Sequence, residues 1–158
     1  MPKAVLMLAV LWVLTGASVL PSASGANGPD VPFVTVAAGR TSGIRQSLQA
    51  VIHDRDAWLA LWRRHAGSAA VAPPVDFARE MVVAVFGGAG AGARTVTITR
   101  IARGPERLTV WYVTAERSPL PDEGGQTPAA PFHIVRLARS SLPVSFMHAK
   151  AFPVVPQP

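Results

Sequence analysis

The chain has 158 residues, no cysteine, and a formal net charge of +6. That length fits one domain, and the absence of thiols excludes disulfides, a cysteine nucleophile and a lipid-modified N-terminal cysteine. The basic residues are almost all arginine and are dispersed, which argues against a nucleic-acid surface built from a basic cluster interleaved with aromatics.

The N-terminus reads as a secretory signal. Lys3 precedes an unbroken apolar run from Ala4 to Leu14, Pro21 ends it, and Ser22 to Ala26 are all small. A peptidase that needs small residues at −3 and −1 cuts after Gly25 or after Ala26. The competing reading is a retained anchor, for which the run is short. Three segments are therefore expected: a signal over 1–26, a domain over 27–150, and a proline-rich tail over 151–158. Removing residues 1–26 leaves 132 residues with 14 basic and 9 acidic side chains. No membrane span is expected after cleavage, and the location is secreted or periplasmic.

Asn27 to Pro32 reads as a flexible lead-in. Phe33 to Ala37 reads as a strand, with Phe33 and Val34 available for a core, and Thr41 to Ile44 as a turn. Arg45 to His53 reads as a strand entering the one clear amphipathic helix. On that helix Trp58, Leu61, Trp62 and His65 recur at i, i+3, i+4 and i+7 and share a face. Asp54 or Asp56 suits the N-cap, and Gly67 suits a left-handed C-terminal residue. Arg63, Arg64 and His65 complement the dipole in the last turn.

Pro73-Pro74 stops any continuation of the helix. Met81 to Phe86 is a six-residue apolar run rich in β-branched side chains, as in a central strand buried on both faces. It is the expected partner of the tryptophan face. Gly87 to Ala93 is glycine-rich but lacks a following Lys-Ser or Lys-Thr and a helix, so it reads as a connection, not a phosphate loop. Thr95 to Ile101 alternates as a strand, with Val96 and Ile98 on one face and Thr95, Thr97, Thr99 and Ile101 on the other. Leu108 to Thr114 is its hairpin partner, with Leu108, Val110 and Tyr112 on one face and Trp111 on the other. Ser118 to Pro131 is a long polar loop. Phe132 to Leu137 and Val144 to His148 supply the last two strands. The fold class that follows is α+β: an antiparallel sheet of five to seven strands with one principal helix packed on it.

The chemistry of catalysis is sparse. No serine sits in a Gly-x-Ser-x-Gly elbow, and Ser140-Ser141 reads as a turn. No His-Glu-x-x-His or paired-carboxylate motif offers a metal site, and His53, Asp54 and Asp56 straddle a strand–helix junction. His133 and His65 read as structural imidazoles. No catalytic residue, metal or cofactor is therefore assigned. Two connections are too long and plain for tight turns, and binding residues concentrate on such loops. Gly90, Gly92 and Arg94 on the first, and Leu120, Asp122 and Glu123 on the second, are the candidate partner-binding residues.

Three blocks occur in an order that resembles the PrcB C-terminal domain family. The first is Ser42-Gly-Ile44, Val51-Ile52 and Trp58-x-x-Leu-Trp-x-x-His65. The second is Pro74-Val-Asp-Phe-x-x-Glu-Met-Val-Val-Ala-Val-Phe86. The third is Pro131-Phe-His-Ile-Val-Arg136 with Pro143-Val-x-Phe146. The resemblance implies a non-catalytic accessory subunit that helps an extracytoplasmic protease assemble or persist, with no cofactor. The alternative is an inhibitor of a secreted protease. One departure is that Gly90 to Thr95 lacks the tyrosine of a Thr-Gly-Gly-Tyr-like segment that members of that family often carry; if that loop recognises a partner in the family, recognition here must differ.

Overall fold

The computed structural model describes residues 28–90, 95–115 and 129–149. The expected signal and proline-rich tail lie outside them. In chain order the elements are β1 (Phe33–Gly39), β2 (Ser47–Ile52), α1 (Arg55–Ala66), β3 (Glu80–Gly87), β4 (Thr95–Arg103), β5 (Leu108–Ala115), β6 (Phe132–Ala138) and β7 (Val144–His148). This is the α+β class with seven strands and a single helix among the described residues. The strands divide between two sheets, ordered β1-β6-β3-β2 and β4-β5-β7. All pairs are antiparallel except β5 with β7, which run parallel.

The layers are helix, four-stranded sheet, three-stranded sheet, and β3 explains why. Its residues Met81 to Phe86 are all buried, and successive side chains of a strand point to opposite faces. Val82, Ala84 and Phe86 pack in one cluster with Trp58, Leu61 and Trp62 of α1. Met81, Val83 and Val85 pack in a second cluster with Val96, Ile98, Leu108 and Val110 of the other sheet. Strand β6 divides in the same way: Phe132 and Ile134 face the helix, Val135 and Leu137 the second sheet.

The helix begins and ends where its sequence directs. Asp54 Oδ1 accepts from Ala57 N–H at 2.8 Å, satisfying one of the donors exposed at a helix start. Gly67 N–H donates to Arg63 O at 3.0 Å. Gly67 has φ 95°, as a glycine terminator should, but its ψ of 162° is extended and not left-handed helical, and a turn closed by Ala70 N–H to Gly67 O at 3.3 Å follows before the Pro73-Pro74 segment.

Several expectations need correction. The alternation in β4 breaks: Ile98 pairs with Tyr112 and Arg100 with Trp111, leaving Thr99 as the extra residue of a bulge. The bulge shifts the phase by one, so Ile101 is buried on the same side as Val96 and Ile98 and not opposite them. Val34 is 55 % exposed on the edge strand β1, and only Phe33 of that pair joins the core. Residues 28–31 are no loose lead-in: Val31 N–H donates to Ile101 O at 2.7 Å and Arg103 N–H to Pro29 O at 2.9 Å, and Asp30 bridges Ala102. They cover the outer edge of β4, where Arg100 Nε also meets Asp30 Oδ1 at 2.6 Å. No helix of the described residues is long and apolar enough to cross a membrane.

Candidate functional site

One end of the two sheets gathers the stubs of both long connections. Thr95 and Ala115 are register partners, so the segment entering β4 and the segment leaving β5 meet there. Gly87 N–H donates to Pro131 O at 2.8 Å, which joins the end of β3 to the start of β6. A Cβ on Gly87 would meet both Pro131 Cγ and Val96 Cγ2 at 3.0 Å, so these two junctions touch. Gly90 is exposed at this end with φ +87° and open space around it. Gly92, Arg94, Leu120, Asp122 and Glu123 lie outside the described residues.

Beside this end, the loop between β1 and β2 is bolted to the C-terminus of α1. Ser42 Oγ lies 2.9 Å from His65 Nδ1 and also accepts from Ile44 N–H at 3.0 Å. Gly43 N–H donates to His65 O at 2.8 Å. A Cβ at Gly43 would stand 2.5 Å from Arg64 O, so this approach of loop to helix end requires glycine. The His65 ring packs edge-on against Phe132, centroids 4.1 Å apart, and lies 5.2 Å from Trp62 and 5.7 Å from Phe86. Burial pushes its imidazole below the ordinary 6.5.

A serine hydroxyl beside an imidazole is half of a nucleophile and base pair. Here both residues are buried, and Ser42 Oγ is already engaged by a backbone donor. The pair holds the loop to the helix and presents no accessible nucleophile. Sequence reading placed Ser42 in a turn and His65 on the tryptophan face without joining them; the i+7 position of His65 at the helix end, next to a Ser-Gly turn of an adjacent connection, is the signal that links them.

The bolted loop and the last turn of α1 enclose a groove of about 430 Å³, lined by Gly43, Ile44, Arg45, Gln46 and Arg64. Its far wall is fixed as well, since Ala89 N–H donates to Arg45 O at 2.8 Å. A second groove, of about 360 Å³, lies at the other end of the helix between Trp58, Leu59, Pro73, Pro74 and Phe77.

His133 occupies a different position, between the sheets. Ile98 N–H donates to its Nδ1 at 2.8 Å, so that nitrogen is an acceptor and the proton resides on Nε2, which donates to Thr35 Oγ1 at 2.9 Å. The neutral ring thus ties β6 and β1 to β4, and burial lowers its pKa below 6.5. Among the described residues no group of three His, Asp or Glu side chains is placed to hold a metal ion.

Comparison with known proteins returns no matching family model, no matching curated protein and no matching solved structure.

Proposed function

We propose that the protein is an exported, non-enzymatic binding module that assists the assembly or stability of an extracytoplasmic protease. The observation that carries this reading is that the residues flanking both long connections, Gly87 and Thr95 for the first and Ala115 and Pro131 for the second, meet at one end of the two-sheet scaffold. Rigid elements presenting clustered loops is the arrangement by which scaffolds bind partners. The locked state of the Ser42–His65 pair supports a role other than hydrolysis. The resemblance of the three sequence blocks to the PrcB C-terminal domain supports a protease as the partner.

The test is chemical crosslinking in the native extracytoplasmic fraction with identification of the crosslinked protein by mass spectrometry, followed by an activity assay of that protein with and without this chain. A protease whose activity rises or lasts longer in its presence is the expected result. A protease whose activity is lost identifies an inhibitor instead. Crosslinks to proteins with no proteolytic activity overturn both.

A further inference from the structure

We propose that the groove between Arg45 and Arg64 is a carboxylate-binding site, and that its occupant is an extended acidic segment of the partner protein. The inference rests on the reading of this chain as a protein-binding module and names the chemistry by which it would recognise its partner.

The charge is uncompensated. Arg45 comes from the loop before β2 and Arg64 from the last turn of α1, and both line the same cavity. No lining residue is acidic, and neither arginine has an acidic partner among the described residues. Arg100 meets Asp30, Arg136 meets Glu80 at 3.3 Å, and Arg139 donates to the carbonyls of His53 and Phe77, whereas Arg103 and Arg107, like the groove pair, have no acidic partner among the described residues but line neither of the two grooves. A guanidinium presents a planar fork of donors that matches a carboxylate in two parallel bonds. Gln46 adds a side-chain amide to the same wall. The volume of about 430 Å³ falls in the range of small ligand clefts.

The site is also preorganised. The backbone segments that carry Arg45 and Arg64 are held together by Ser42 to His65 and Gly43 to His65 on one side of the groove and by Ala89 to Arg45 on the other. Rigid placement lowers the entropy lost when a ligand is held.

What favours a peptide over a small anion is the strand that follows. Gln46 leads directly into β2, the edge of the four-stranded sheet. The only strand paired to β2 is β3, and no backbone bond from Ser47–Ile52 reaches any other element among the described residues. An open strand edge is a row of backbone donors and acceptors on which an extended chain can pair. A chain added there runs its end into the arginine groove, where acidic side chains complement the charge.

The test uses the folded protein, isotope-labelled, in a two-dimensional amide NMR titration with hexaglutamate, hexaglutamine and inorganic phosphate, a method that reads weak binding and locates it. Hexaglutamate is expected to shift Gly43 to Gln46, Arg64 and the amides of Ser47 to Ile52, and hexaglutamine to leave them in place. In R45Q/R64Q the apparent dissociation constant should rise about tenfold or more, while R103Q/R107Q, which removes the same charge at the β4–β5 turn, should leave it within about twofold of the parent. Spectral dispersion verifies that each variant is folded; both groove arginines are exposed. Equal weakening in the two double variants would reduce the effect to net charge and overturn the site. Shifts from phosphate equal to those from hexaglutamate, with β2 unmoved, would overturn the peptide assignment. Hexaglutamate binding with no protease among the crosslinked proteins would sink the accessory role and leave the groove standing; a protease partner bound unchanged by R45Q/R64Q would sink the groove alone.

Discussion

Trp58 and Trp62 sit one helical turn apart, with ring centroids 5.2 Å from each other, yet their polar atoms are treated differently. Trp58 is 2 % exposed and its Nε1–H donates to Pro73 O at 3.0 Å. Trp62 is 9 % exposed and its Nε1 is buried without an acceptor among the described residues. Truncation of either to Ala should cost about 3–5 kcal/mol, a large share of the roughly 5–15 kcal/mol available to a domain. Replacement by Phe should separate them. Trp58→Phe loses a bond and leaves Pro73 O unpaired, whereas Trp62→Phe removes a donor whose unpaired burial costs about 1–3 kcal/mol. Urea midpoints should therefore fall further for Trp58→Phe than for Trp62→Phe; the reverse order would contradict the assigned bonding.

The two buried histidines make a pH prediction of definite sign. Both have native pKa values below 6.5 because burial disfavours the charged ring. The unfolded chain then binds more protons, so stability is complete above about 6.5 and falls as pH drops towards the lowered native values, by at most about 1.4 kcal/mol per pH unit for each ring. At His133 the geometry, beside burial, also opposes protonation: a proton on Nδ1 would face the Ile98 N–H, donor against donor. His133→Leu should lower stability at neutral pH, because Ile98 N–H and Thr35 lose a partner, and should make unfolding free energy less dependent on pH below about 6.5. An unchanged slope in chemical denaturation would show that His65 carries the dependence.

Among the elements, the helix was the most legible from residues alone. Its buried face and its β partner follow from spacing, because a period of 3.6 over three turns leaves little ambiguity; the end residues mark its limits, but not the choice of Asp54 over Asp56 or the extended ψ of Gly67. The strands were legible as strands but not in their pairing. Period-two alternation says which side chains share a face only while the ladder is regular, and nothing in Thr97-Ile-Thr-Arg-Ile101 announces that Thr99 bulges out. Nor does a strand's composition reveal which sheet it joins, so a single sheet is the simplest expectation for strands that in fact form two packed sheets, with β3 inside the four-stranded one. The arginine groove was illegible for a related reason: Arg45 and Arg64 are far apart in sequence, and only the tie between loop and helix end brings them to one cavity. That tie has its own test. Gly43→Ala places a Cβ against Arg64 O, a backbone atom that cannot rotate away. It should cost about 1–3 kcal/mol, as overpacking does, measured by thermal or urea unfolding. Wild-type stability would mean that the loop is not held to the helix.

At the scale of the whole molecule, export is a proposal with a direct readout. The apolar run ending before Pro21, with small residues to Ala26, predicts a mature chain that begins at Ala26 or Asn27. Intact-mass measurement of the extracytoplasmic protein decides this, and a species that still starts at Met1 or Pro2 would rule it out. The connectivity carries a further consequence, for the order in which the fold assembles. Strand β1 is held through β6, where Phe33 pairs with Leu137, and the parallel partner of β5 is β7, reached only after the chain has crossed to the other sheet to lay down β6. Helix α1, the β2–β3 pair and the β4–β5 hairpin are local and can form early, but one backbone edge of β3 stays unpaired until β6 arrives. Closing such distant pairs is slow compared with local ones. A chain emerging N-terminus first, from a ribosome or a translocation pore, therefore leaves the backbone edge of Met81 to Phe86 unpaired, and β1 without its sheet, until β6 is out. It completes its fold in a late, concerted step set by its last two strands.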